Sequence, residues 1–164
     1  MKKQKWIIPG IIILICFFFY PAFSFADPLK STMDAYVVVI DKEGKEKLKK
    51  TDTAAPGETI EYVLTYQNIS KKGLSALSVN GPIPSNTGFV QGSNYTKTPH
   101  EFRVSIDHGK TWDNEPVRRK RKNKQGKEEL IIIPASKYTN IQWKAKVNID
   151  PGEKQTYKYR VKIY

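Results

Sequence analysis

The chain contains a single cysteine, Cys16, and it lies within the first 26 residues. From Asp27 onward there is none, so an oxidising compartment offers this part no disulfide and its hydrophobic core alone must hold it. Histidine is nearly as scarce. His100 and His108 are the only two, with no His-x-x-x-His, no Cys partner and no loop of alternating Asp or Asn closing on Glu. Zinc and calcium centres therefore lack their usual ligand patterns. A Gly-x-Ser-x-Gly elbow is missing, as is a Ser-x-x-Lys with its companion motifs, which leaves nucleophilic hydrolysis without a signature. The carboxylates Glu128-Glu129 and Glu43/Glu46 stand in charged sequence, where nothing raises a carboxyl pKa towards general-acid duty. These absences predict a protein that is not an enzyme and holds no cofactor and no metal. Also missing after residue 27 is any helical apolar stripe over three turns, which excludes a helix bundle.

What is present begins with a leader. Lys2, Lys3 and Lys5 precede a nearly continuous apolar run from Trp6 to Tyr20, Pro21 breaks any helix, and Ser24-Phe25-Ala26 offers small residues at the −3 and −1 positions of a cleavage site. This layout predicts a signal peptide over 1–26 and an exported domain over 27–164. An uncleaved anchor is the alternative, since Trp6 to Ala26 approaches the roughly 20 residues that span a bilayer. Either reading puts the domain outside the cytoplasm, periplasmic or secreted, and excludes genomic nucleic acid as a partner. No anchor is recognisable after Tyr164, so the mature form is expected to lack a membrane span.

Two-residue alternation marks the domain as β. In Glu58 to Asn68, Ile60, Tyr62, Leu64 and Tyr66 share one face, and near the C-terminus Tyr157, Tyr159, Val161 and Ile163 alternate with Lys158, Arg160 and Lys162. Further strands are expected at Asp34 to Ile40, Leu77 to Asn80, Phe102 to Ile106, Leu130 to Ile133 and Asn140 to Val147. Turn signals separate them at Lys42-Glu43-Gly44-Lys45, Pro56-Gly57, Ser70 to Gly73, Asp107-His108-Gly109 and Pro151-Gly152. Short strands with frequent turns predict a sandwich or barrel. Trp143 is the expected central aromatic of its core. The run Val37-Val38-Val39-Ile40 is expected to need cover on both faces, and its strand to be a candidate for pairing with another chain.

These segments carry a resemblance. Pro56-Gly57-Glu58-Thr59-Ile60-Glu61-Tyr62, Tyr66-Gln67-Asn68, Val79-Asn80-Gly81-Pro82-Ile83-Pro84, Gly88-Phe89-Val90-Gln91-Gly92-Ser93, Ile141-Gln142-Trp143 and Ile149-Asp150-Pro151-Gly152-Glu153 with the closing Tyr-x-Tyr-x-Val resemble the bacterial surface-protein repeat known as domain of unknown function number eleven. The likeness runs over residues 34 to 163, with Asn80-Gly81 where that family commonly has Asp. It implies an immunoglobulin-like antiparallel β-sandwich of about seven strands, acting as a structural or interaction module of the cell envelope.

Charge is the remaining feature. The formal net charge is +12, and from Asp27 onward 25 bases face 16 acids, a net +9. Seven of those bases lie in one tract: Arg118, Arg119, Lys120, Arg121, Lys122, Lys124 and Lys127. Without it the domain is close to neutral. The tract reads as a basic loop over 115–129, joining the strands near Val104 and Leu130, and two readings stay open for it. It is a solvated hairpin loop kept open by self-repulsion, or it holds an anionic partner electrostatically: lipopolysaccharide, acidic polysaccharide, a phospholipid surface, extracellular nucleic acid or an envelope protein. No aromatic residue interleaves to stack on bases or sugars. Ser105-Ile106-Asp107-His108-Gly109-Lys110-Thr111-Trp112 looks like the Asp-box of sialidases. It occurs once, in a chain too short for a propeller, and is therefore expected to be a folding element in which Asp107 accepts hydrogen bonds from its own turn.

Overall fold

The computed structural model describes residues 27–164. The predicted leader over 1–26, Cys16 included, lies outside the described residues. The domain is an antiparallel β-sandwich, as the alternation predicts, with eleven strands where about seven were expected from the sequence. They are β1 (Leu29–Ile40), β2 (Glu46–Lys50), β3 (Thr59–Asn68), β4 (Ser78–Pro82), β5 (Thr87–Phe89), β6 (Tyr95–Thr96), β7 (His100–Ser105), β8 (Arg118–Lys122), β9 (Glu128–Ile132), β10 (Asn140–Ala145) and β11 (Lys154–Ile163). One sheet has the order β2-β1-β3-β11-β5, with β6 also on β11; the facing sheet is β4-β10-β7; β8 and β9 form a two-stranded sheet of their own.

The core follows the predicted faces. Ile60 and Leu64 from β3 and Tyr157, Tyr159 and Val161 from β11 meet Val79, Val104, Ile141 and Trp143 from the opposite sheet, all buried. Trp143 sits at the centre, its ring 5.5 Å from that of Tyr157, 6.0 Å from Tyr159 and 5.7 Å from Phe102 between centroids. Among the described residues the buried core is drawn from Val37 to Val161. Tyr159 shows how a buried ring satisfies its polar end, since its hydroxyl donates to the Pro82 carbonyl at 2.6 Å. Gly81 makes room for that arrangement. A Cβ there would come within 2.9 Å of both Tyr159 Cε1 and Ile141 Cγ1, which accounts physically for glycine at this position.

Two expectations need correction. The Val37–Ile40 run is paired along one edge by β2, over Tyr36–Ile40, while along the other edge β3 reaches only Val37. It is not covered on both faces, because β1 runs past the sandwich there: Val37 is buried while Val39 and Ile40 are exposed. The outermost strand on this side of the sheet is β2, whose sequence Glu-Lys-Leu-Lys-Lys is exposed throughout. Lysines on an edge oppose strand addition. The second correction concerns the basic tract, which is not a loop. Residues 118–122 form β8, paired in register with β9 from Arg118 opposite Ile132 to Lys122 opposite Glu128.

Candidate functional site: the basic hairpin

The hairpin is made by its turn. Asn123 Oδ1 accepts hydrogen bonds from the amides of Gln125 and Lys127, each at 3.0 Å, and Asn123 N donates to Lys127 O at 2.9 Å. Gly126 takes a φ of 80°, which glycine adopts without strain. The β1–β2 connection repeats the device: Asp41 Oδ1 accepts from the amides of Glu43 and Lys45, and Gly44 stands at 78°. Asp41-Lys42-Glu43-Gly44-Lys45 and Asn123-Lys124-Gln125-Gly126-Lys127 are the same turn written twice. The first is legible as a turn because the apolar run Val37–Ile40 precedes it, whereas the second follows Arg118–Lys122, whose unbroken charge hides the strand.

A two-stranded ribbon is marginal alone, so its base is tied to the sandwich. Val117 is fully buried and accepts a backbone hydrogen bond from Ile133 at 2.9 Å. Arg119 supplies the second tie: Nη2 and Nη1 donate to Asp113 Oδ2 and Oδ1 at 2.5 and 3.0 Å. Asp113 is itself fixed by exchanging both backbone hydrogen bonds with Val104 on β7, at 2.8 and 2.9 Å. Between those two residues lies the Asp-box-like turn. Asp107 accepts from the Thr111 hydroxyl and amide at 2.6 and 2.9 Å and from the Ser105 hydroxyl at 2.7 Å. These donors, the Thr111 hydroxyl foremost, hold the Asp107 carboxyl well below the usual range. The motif thus works as a folding element that returns the chain from Ser105 so that Asp113 can meet Arg119.

The tertiary structure sorts the seven predicted anion-binding residues by partner. Arg119 is engaged with Asp113, Lys120 lies 3.5 Å from Glu128, and Arg121 lies 2.7 Å from Glu129. Among the described residues, Arg118, Lys122, Lys124 and Lys127 have no carboxylate at ion-pair distance. The Lys120 and Arg121 pairs are largely exposed, and such pairs contribute about 1 kcal/mol or less. An incoming phosphate or sulfate can therefore replace those carboxylates at small cost. Strand alternation also divides the hairpin into two faces, which the sequence did not disclose. Arg118, Lys120 and Lys122 share the outer face with Ile132, Leu130 and Glu128, all exposed, while Arg119 and Ile131 face the other way and are half-buried.

Elsewhere the surface is better satisfied. A 660 Å³ cleft over the six-stranded sheet is lined by Glu46, Glu61, Ser93, Tyr95, Lys158 and Arg160. Arg160 there donates to both oxygens of Glu46 and to Glu61. The Arg160 guanidinium holds the Glu46 carboxyl below its ordinary value, the reverse of what a general acid requires. His100 and His108 occupy opposite ends of β7 and its following turn, and His100 Nδ1 lies 2.8 Å from Thr98 O. Among the described residues no group of three or more His, Cys, Asp or Glu converges, and no helix is long and apolar enough to cross a membrane. Compared with known protein families, with curated proteins and with solved structures, the chain finds no match in any of the three.

Proposed function

We propose that this protein is an exported, non-enzymatic module of the cell envelope, a single immunoglobulin-like domain that works by contact and meets an anionic envelope partner through the β8–β9 hairpin. The observation that carries the reading is the placement of seven cations on a ribbon standing outside both main sheets, with four of them unengaged by carboxylates. Concentrating the net charge on one projecting element gives a local field that the near-neutral sandwich does not dilute. The leader-like first 26 residues and the motifs shared with the bacterial surface repeat support export and the envelope setting. The arginine-held carboxylates of the 660 Å³ cleft support a role without bond chemistry. The test is retention of residues 27–164 on immobilised heparin or another anionic polysaccharide. Retention should fall steeply with salt, as counterion exchange demands, and should be lost when residues 118–122 are replaced by Ser. Retention that survives that replacement would refute the role of the hairpin.

A further inference from the structure

A purely electrostatic role leaves the outer face of the hairpin half explained. Leu130 and Ile132 are 64% and 62% exposed, and they stand directly opposite Lys120 and Arg118. Two large aliphatic side chains kept in water on this ribbon gain nothing from a soluble polyanion, which brings charge to the cations and no apolar surface to the aliphatics. No aromatic side chain lies on this ribbon to stack on a sugar or a base.

Resting on the contact role just proposed, we infer that the partner of this face is an anionic phospholipid surface. Leu130 and Ile132 enter the boundary between headgroups and acyl chains, and Arg118, Lys120 and Lys122 flank them to meet headgroup phosphates. The alternation of strand residues supplies what an interfacial helix supplies with its two faces: apolar side chains to bury, and cations beside them for anionic lipid. Long Arg and Lys stems can lie along the apolar zone while their charged ends stay among the phosphates. Glu128, the one carboxylate on this face, is paired with Lys120, so it does not stand as a lone anion against the lipid. The face is also uncovered, since all six of its residues, three on each strand, are exposed.

The experiment compares residues 27–164 on vesicles of phosphatidylglycerol in phosphatidylcholine, on phosphatidylcholine alone, and on heparin. The wild type should partition to the anionic vesicles and not to the neutral ones. Leu130→Ser with Ile132→Ser should lose vesicle partitioning by about tenfold or more while keeping heparin retention; Arg118→Ser with Lys120→Ser and Lys122→Ser should weaken both. Leu130→Trp gives a reading independent of loss: its fluorescence should be quenched by lipids brominated along the acyl chain. Vesicle binding unchanged in the aliphatic double variant, or an unquenched tryptophan, would overturn the lipid inference and leave the electrostatic role standing. Wild-type binding to heparin with none to vesicles would do the same, and binding to neither would end both. Near-UV circular dichroism of each variant confirms that the Trp143 core is intact.

Discussion

Asp113 holds Arg119 with both carboxylate oxygens, at 2.5 and 3.0 Å, while its own backbone is paired to Val104 in the opposite sheet. One residue thereby fastens the basic hairpin to the body of the domain. It removes one of seven candidate cations from ligand duty and aims the rest. The Arg119 guanidinium holds the Asp113 carboxyl below its ordinary value, and the carboxylate in turn raises that of the guanidinium.

Asp113→Ala should loosen the hairpin and leave the sandwich folded. The pair is only partly sheltered, so the loss in global stability should be about 1 kcal/mol or less. The larger effect should appear in hydrogen exchange, with the β8 and β9 amides exchanging faster than those of β10 and β11. Equal acceleration everywhere would show that the pair does not act as a local tie.

Asp107→Ala should act one step earlier. It removes the acceptor for the Thr111 amide and hydroxyl, so the turn loses its shape and the Val104–Asp113 pairing weakens. Thermal denaturation should show a lower midpoint, accompanied by faster exchange at the Asp113 amide. Asp107→Asn, which keeps one acceptor, should fall between the two.

Trp143→Ala should destabilise by about 3 to 5 kcal/mol, the range for deleting a fully buried aromatic, measured by urea unfolding. Trp143→Phe should cost less than about 2 kcal/mol. The indole N–H is buried with no acceptor among the described residues, and removing an unpaired donor returns part of the about 1 to 3 kcal/mol it costs to bury. Equal losses for the two variants would mean that the N–H is satisfied.

The pH dependence should have two components of opposite sign. Asp41, Glu46, Glu101, Asp107 and Asp113 all have lowered pKa values, through hydrogen bonds and cations in the native state. The stability they provide is present above the unfolded carboxyl range of about 4 and is lost as pH falls through their native values. Glu115 runs the other way. Burial raises its pKa and leaves one carboxylate oxygen without a partner, so it begins to destabilise as pH rises above about 4.3 towards its native value. Glu115→Gln should therefore stabilise at neutral pH, by less than about 1 kcal/mol given partial solvent screening, and change nothing at pH about 3. A variant no more stable at neutral pH would show that the charge is fully solvated.

Much of the fold can be read in the residues. Ile60, Leu64, Tyr157 and Tyr159 lie on the buried side that their two-residue spacing predicts, and Trp143 is the central aromatic. The short strands β5 and β6 and the charged strands β2 and β8 were not readable, because each is held by a neighbour and not by its own preference. Lys47 and Lys49 extend because they pair with Val39 and Val37, and Arg119 and Lys120 because they pair with Ile131 and Leu130. Recurrence of the Asx-Lys-x-Gly-Lys turn at residues 41 and 123 was the available signal for the second hairpin.

Sequence alone establishes that this chain makes strands, which of their residues face inward, and that +7 of the domain's net +9 lies in ten residues. Alternation and turn chemistry are local properties, so a local reading finds them. Which cations stay free, and which side chains accompany them, is settled by long-range contacts. Those depend on carboxylates arriving from other segments, such as Asp113 to Arg119 or Glu46 to Arg160 across 114 residues. They depend also on cross-strand register, which alone sets Leu130 and Ile132 beside Lys120 and Arg118 on an open face.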